Sequence, residues 1–259
     1  MPDLARLRVP QITALFWLAK GLSTALGEST SDYLVVAWQP VVAVLAGFAA
    51  FAIAMAVQLS RGRYLAVSYW FAVVMVGVFG TMVADVIHVG FGVPYAVSAP
   101  AFVLILALIF VVWRRVEGTL SIHSVTTFPR EAFYWMAVVG TFALGTALGD
   151  LTSVTVGLGY LGSAILFAVL ILIPAVGYRF GHWNGIFCFW FAYVVTRPLG
   201  ASVADWLGKP RNVGGLGVGS GWVALILTAL IAIVVAYLAV SKRDVQNEAA
   251  TSIRDGQPA

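Results

Sequence analysis

Charged residues are scarce in this sequence. Only 10% of its 259 residues are Asp, Glu, Lys or Arg, whereas 61% are hydrophobic; soluble domains typically contain about 25% charged residues. A water-soluble fold of this size could not bury so much apolar surface, so a soluble protein is excluded. Lipid is the alternative solvent, because a helix of about 20 apolar residues crosses a bilayer with all its backbone groups paired.

Cysteine and the common catalytic motifs are nearly absent as well. The single cysteine, Cys188, permits no internal disulfide, and we interpret it as a small buried apolar residue. The chain has no HExxH, GxSxG or nucleotide-binding GKS or GKT motif, and no cluster of His and Cys residues with metal-ligand spacing. We therefore expect no enzyme and no cofactor. The net charge of +4 does not indicate nucleic-acid binding, because the positions of the charges matter more than their sum.

Long apolar segments occur eight times along the chain. They predict an all-α integral membrane protein with eight transmembrane helices, which places both termini on the same side. The first segment has no small-residue cleavage site after it, so we expect it to be retained rather than removed as a signal peptide. The predicted spans are residues 12–27, 34–57, 65–90, 93–112, 132–152, 156–176, 183–207 and 220–240.

Basic residues are concentrated on one side of this predicted bundle. Eleven of the fifteen Lys and Arg residues fall in the loops and termini of that side, and only Lys209 and Arg211 fall in the opposite loops. The positive-inside rule therefore predicts cytoplasmic termini. The eleven residues are Arg6, Arg8, Arg61, Arg63, Arg114, Arg115, Arg130, Arg179, Lys242, Arg243 and Arg254.

A motif recurs about every 60 residues, a period typical of repeat architectures. The segments YWFAVVMVGVFGTMVAD, YWMAVVGTFALGTALGD and FWFAYVVTRPLGASVAD align without gaps, each with a Trp fifteen residues before the final Asp. A fourth copy, TALFWLAKGLSTALGE, has Trp17 only eleven residues before its acid. The pattern predicts one transmembrane domain (residues 1–241) of four two-helix repeats, at about 10–60, 64–113, 130–178 and 183–240. We expect residues 242–259 to form a disordered cytoplasmic tail.

Pairs of small residues four apart precede every acid of the motif. Such pairs line one face of a helix and permit close helix contacts. They predict that the first helices of the repeats pack against one another and that the second helices form an outer, lipid-facing layer. The pairs are Ser23 and Gly27, Gly80 and Ala84, Gly145 and Gly149, and Gly200 and Ala204.

The motif acids are the principal candidates for a binding site. All copies have the same orientation, so the acids reach a similar depth and are predicted to surround a vestibule that faces away from the cytoplasm. Further polar residues follow three or four positions later and would lie beside the acids if the helices continue. The acids are Glu28, Asp85, Asp150 and Asp205, and the residues that follow them are Asp32, His88 and Ser153. Imidazole and carboxylate both suit divalent transition metals, which makes Asp85 and His88 candidate metal ligands.

Polar residues also continue inward from the acids. Thr24, Thr81 and Thr146 stand four positions before their acids and predict a polar track. Lys20 and Arg197 stand four positions further back, eight before their acids. By helical rise they lie roughly 12 Å deeper in the membrane than those acids. Buried charges must be paired, so we expect this basic pair either to form structural ion pairs with neighbouring acids or to act in substrate contact and gating.

The Trp-anchored two-helix unit, from about Pro10 to Val240, resembles a family of bacterial integral membrane proteins. That family is built from four tandem repeats of unknown function, often labelled only as membrane-anchored proteins. Trp17 departs from its pattern. The resemblance implies the multi-pass architecture and a bacterial inner membrane, and it implies no particular activity.

Two functions are compatible with these features. The leading hypothesis is a transporter or channel-like protein that handles a cation, either a divalent metal ion or a proton, because a carboxylate ring at the mouth of a bundle concentrates cations. The alternative is a non-transporting membrane sensor or scaffold, whose charged residues only hold the helices together. The expected partners are the lipid bilayer and a small ion or small solute; the sequence leaves a homo-oligomer open.

Overall fold

The computed structural model describes residues 7–245, and this part of the chain contains helices and connecting turns but no strands. Seven of its helices are long and apolar enough to cross a membrane. The first helix has the length but carries Lys20, Glu28 and Asp32. The all-α prediction is confirmed. The helices are α1 (Ala14–Ala37), α2 (Pro40–Ser60), α3 (Ala66–Asp85), α4 (Tyr95–Glu117), α5 (Phe128–Asp150), α6 (Gly159–Phe180), α7 (Gly185–Gly208) and α8 (Ser220–Ser241).

Helix α1 differs from its predicted extent. It does not end near Gly27 but continues through both Glu28 and Asp32 to Ala37. The predicted end of the first span near Gly27 is wrong, because both acids have ion-pair partners in the bundle. Glu28 pairs with Arg197, and Asp32 pairs with Lys209. A charged residue with an ion-pair partner does not have to end a helix at the membrane boundary.

The helices form two concentric layers. In the inner layer, α1 and α5 each pack against both α3 and α7, so the first helices of the four repeats make a closed ring. The outer helices each cover the first helix of the next repeat: α2 packs on α3, α4 on α5, α6 on α7, and α8 on α1. The inner helices that qualify as spans are mostly buried, and the outer ones are mostly exposed. This arrangement agrees with the predicted inner and outer layers.

Small residues permit the inner helices to approach closely, as the spacing predicts. A Cβ atom on Gly27 of α1 would lie only 2.7 Å from the carbonyl carbon of Gly77 in α3. A Cβ atom on Gly145 would collide with the Arg197 side chain, and one on Gly200 would collide with Thr24. The same glycines therefore bring the polar residues of different repeats into contact.

One end of the bundle, here called the loop end, gathers the segments that carry most of the basic residues. The amide of Tyr64 donates to the Leu7 carbonyl, that of Arg8 to Val125, and that of Gln11 to Asp244, at 2.8–3.0 Å. The N-terminal segment, two interhelical loops and the residues after α8 thus meet there. Arg6, Arg254 and residues 246–259 of the predicted tail lie outside the described residues. The tail's first residues, 242–245, form a turn, and Asp244 in it is buried.

The motif tryptophans lie in the core near this loop end. Trp70, Trp135 and Trp190 are all buried, and Trp190 donates from Nε1 to the Leu120 carbonyl at 2.9 Å. In the first repeat it is Phe16, not the displaced Trp17, that is buried in the aromatic core, where it contacts the Trp70 ring. These rings are packing anchors that hold the inner helices in register.

Candidate functional site

Five carboxylates from all four repeats lie together at the end of the bundle opposite the loop end. We call Glu28, Asp32, Asp85, Asp150 and Asp205 the carboxylate cluster. Oxygen atoms of Glu28, Asp32 and Asp205 lie within 4.8 Å of one another. Asp85 interacts electrostatically with Glu28, Asp32 and Asp150. The structure therefore brings the four repeated acids together, while their role in ion binding stays a prediction.

Arg197 joins all four inner helices just below the cluster. Its guanidinium is fully buried and forms an ion pair with Glu28 Oε2 at 2.7 Å. It also donates to the Thr146 hydroxyl at 2.8 Å, to the Thr24 carbonyl at 3.0 Å and to the Thr81 hydroxyl. Because one planar guanidinium bonds to groups on α1, α3 and α5 from its place on α7, it fixes the spacing of the ring.

The threonines of the predicted polar track take part in this same network. Thr81 Oγ1 lies within hydrogen-bond distance of Glu28 Oε2, at 3.2 Å, and of the Gly77 carbonyl, at 3.0 Å. Thr24 donates its hydroxyl to the Gly21 carbonyl at 2.7 Å. The hydroxyls of Thr24, Thr81 and Thr146 are thus all engaged in hydrogen bonds within the protein.

Lys20 is placed differently from Arg197, although both are fully buried. Its Nζ atom lies over the rings of Phe142 and Tyr193, at 4.1 and 4.0 Å from their centroids. Within residues 7–245 it has neither a hydrogen-bond acceptor nor an acidic partner. The expected ion pairing therefore holds for Arg197 and fails for Lys20, whose charge faces aromatic π-systems instead.

The second and third repeats change conformation directly after their acids. The α-helix passes into a π-helical turn at Val86–Gly90 and again at Leu151–Thr155. In the first of these turns, His88 Nδ1 donates to the Val93 carbonyl at 2.8 Å and its ring stacks on Tyr95. The hydroxyl of Tyr95 is in turn hydrogen-bonded to Asp150.

These contacts alter the predicted metal site. Among the described residues, the acidic and imidazole groups close enough to share a metal ion are Glu28, Asp32 and Asp205; Asp85 and His88 are not in that group. The hydrogen bond and ring stacking of His88 orient it toward the α3–α4 connection. Within residues 7–245 the buried hydroxyl of Ser153 has no hydrogen-bond partner, and its contact with a bound ion stays a prediction.

Lys209, which the sequence predicts to lie in a loop, contacts the cluster. Its Nζ atom lies 2.7 Å from Asp32 Oδ2 and 3.6 Å from Asp205 Oδ1. Burial alone lowers the pKa of Lys209, but the carboxylates of Asp205 and Asp32 outweigh that effect and raise it above its usual value. The amine is therefore protonated at neutral pH. The sequence contained a signal for this contact, because Lys209 follows Asp205 by four residues, which is about one helical turn.

The glycine-rich loop between α7 and α8, residues 209–219, holds Lys209 in place. Amides of Leu216, Gly217, Val218 and Gly219 donate to the carbonyls of Trp206, Lys209, Leu207 and Gly208, respectively. These are the last carbonyls of α7 and the one after it, which an isolated helix leaves unpaired. The glycine-rich sequence of this segment, taken alone, predicts a flexible connector, but the loop folds back as an ordered cap on α7. Gly215 permits this, since a Cβ there would collide with the Lys209 backbone.

The fold and site define a class: an all-α membrane protein built from tandem two-helix repeats, with charged residues in its inner ring. Segments 68–119, 133–180 and 188–244 match the family described as Repeat of Unknown Function (DUF347). The matches cover more than half of the chain, which therefore belongs to this family. They correspond to the second, third and fourth repeats, and the first repeat lies outside them. No curated protein and no solved structure matches the chain.

Proposed function

We propose that this protein is a transporter or channel-like membrane protein that binds a cation, a divalent metal ion or a proton, in its carboxylate cluster. The observation that carries the proposal is the charge balance. Five carboxylates meet there, and within residues 7–245 their ion pairs involve only Arg197 and Lys209.

A buried charge is costly unless a partner neutralises it. Arg197 and Lys209 leave three negative charges of the cluster without a counter-charge, so a bound cation or bound protons would stabilise it. Carboxylate oxygens are the ligands that Mg²⁺, Ca²⁺ and Mn²⁺ prefer. Asp85 and Asp150 form no ion pair within the described residues, and their negative charge beside Glu28 and Asp32 raises the affinity of the cluster for a cation.

The proposed orientation follows from the basic residues. All eight helices cross the membrane, the loop end and both termini lie in the cytoplasm, and the carboxylate cluster faces the opposite side. The membrane is a bacterial inner membrane, as the resemblance of the repeats implies. Movement of the repeats against one another, with release of the Arg197 network, would open the centre to the cytoplasm and give alternating access.

Ion flux in reconstituted vesicles tests this proposal. We expect the wild-type protein to carry Mn²⁺ or protons, and an Asp85→Asn plus Asp150→Asn variant to lose most of that flux because the unpaired carboxylates are gone. Glu117→Gln is the matched control, since Glu117 is an acid of α4 that pairs with Arg130 outside the cluster. Equal flux in the double variant and the wild type would refute the proposal.

The Arg197 network favours one alternative, a membrane sensor or scaffold whose charges only hold the helices together. In that case Glu28→Gln should destabilise the protein and no variant of the cluster should change an ion flux. Under the leading proposal, the Asp85→Asn plus Asp150→Asn variant loses flux while its thermal stability stays intact. Measuring stability and flux on the same preparations separates the two functions.

A further inference from the structure

The three acids that lie close enough to share a metal ion are already neutralised in part by two side chains of the protein itself. Arg197 contacts Glu28 from the inner side, and Lys209 contacts Asp32 and Asp205 from the outer side. When all three acids are ionised, the group carries three negative charges against the two positive charges of Arg197 and Lys209. Asp205 is buried, and its Oδ1 atom, although 3.6 Å from Lys209 Nζ, accepts no hydrogen bond within residues 7–245.

The two basic residues differ in their freedom to move. Arg197 has no solvent exposure and bonds to three other helices. The Lys209 side chain is 31% exposed, and within residues 7–245 its ion pairs are with Asp32 and Asp205. A flexible lysine stem with one end in solvent can leave its partners without disturbing the bundle.

The backbone of Lys209, in contrast, is held on both sides. Its amide donates to the Asp205 carbonyl at 2.8 Å, and its carbonyl accepts from the Gly217 amide at 2.9 Å. Any displacement of the ammonium is therefore a rotation of the side chain about a fixed backbone. The glycine-rich loop sets this pivot point beside the cluster.

We propose that Lys209 is a tethered counter-ion of the cation site formed by Glu28, Asp32 and Asp205, and that an incoming divalent cation displaces its ammonium group into solvent. This inference rests on the proposed function and adds a component to it. The protein's own lysine stabilises the empty site, and it competes with the cation for the Asp32 and Asp205 oxygens. Lys209 thereby lowers the affinity and ties cation binding to a side-chain movement at the mouth.

Mn²⁺ binding to the purified full-length protein, followed by loss of the free-ion electron paramagnetic resonance signal, tests the inference. Removal of the competing ammonium in Lys209→Met should tighten Mn²⁺ binding by about tenfold or more. The matched control is Arg211→Met, which removes the same charge from the same loop; Arg211 donates to the Leu216 carbonyl instead of an acid. Lys209→Arg keeps the charge and should stay near the wild-type affinity.

Each result has a definite meaning. Equal affinities in Lys209→Met and Arg211→Met would overturn the competition, while leaving the cluster as a cation site. Absence of saturable Mn²⁺ binding in all variants would overturn both this inference and the divalent-cation form of the proposed function. If Lys209→Met fails to fold, Lys209→Gln provides the same comparison, with circular dichroism as the check on folding.

Discussion

The acidic residues at the two ends of the bundle differ in the partners that the protein gives them. At the loop end, fully buried Glu131 accepts from Arg8 at 2.6 Å, from Gln58 at 3.1 Å and from Trp135 at 3.4 Å. Buried Asp244 accepts from the Tyr64 hydroxyl. At the cluster end, five carboxylates have Arg197 and Lys209 as their basic partners within the described residues.

Under the proposed function, this difference separates structural charges from charges that are available to a ligand. The loop-end contacts join the N-terminal segment, α2 and α5, and each acid there has a donor from the protein itself. Both carboxylate oxygens of Glu131 have donors, and a polar network that is satisfied in this way gives rigidity. The cluster end keeps a surplus of negative charge, and such a surplus is retained in a membrane protein when a mobile ion or proton neutralises it.

The largest expected effect concerns Glu28, the acid of the cluster that resembles the loop-end type. Arg197→Met removes its partner and leaves a buried carboxylate uncompensated, so we expect a loss of about 3–5 kcal/mol in the free energy of unfolding. Arg130→Met, which breaks a more exposed pair with Glu117, should cost about 1 kcal/mol or less. Denaturant titration in detergent measures both; similar losses would contradict the distinction.

Substitution of one acid at each end should change the free energy of unfolding by a smaller amount, and the direction of the change should differ between the two ends. Glu131→Gln weakens charged hydrogen bonds at the loop end and should cost about 2 kcal/mol of unfolding free energy. Asp85→Asn at the cluster end removes repulsion from Glu28, Asp32 and Asp150, so in metal-free buffer its stability should equal or exceed that of the wild type. Equal destabilisation by the two substitutions would contradict the predicted difference between the two ends.

The smallest effect is a pH dependence at the loop end. Burial raises the pKa of Asp244 despite the hydrogen bond from Tyr64. The folded protein therefore holds this proton to higher pH than the unfolded chain, and stability falls as the pH rises from about 4 toward the raised pKa. In Asp244→Asn this part of the decline should be missing. Unfolding curves between pH 4 and 7 would reveal it, and an unchanged slope would speak against the assignment.

The sequence was sufficient to predict the repeats, the inner ring and the layer of acids, because these features depend on residue types that recur in register. The small-residue pairs predict which helices touch, and the common orientation of the repeats predicts the depth of the acids. These arguments needed only spacing along one helix. They account for the main features of the fold and for the identity of all five carboxylates of the cluster.

The contacts that decide how each charge is used could not be predicted in this way. Arg197 and Glu28 are 169 positions apart, and Arg8 and Glu131 are 123 apart, so neither pair has a local signal. Lys20 and Arg197 occupy equivalent motif positions, yet only packing directs one to aromatic rings and the other to Glu28. The glycines after α7 suggested a flexible connector, since their role as a cap depends on carbonyls at the helix end.

The most direct test of the central claim is calorimetric titration of the purified protein with Mn²⁺. The account predicts saturable binding of about one ion per chain, weakened about tenfold or more in Asp85→Asn plus Asp150→Asn and unchanged in Glu117→Gln. Binding of equal strength in all three proteins, or no saturable binding to the wild type, would contradict it.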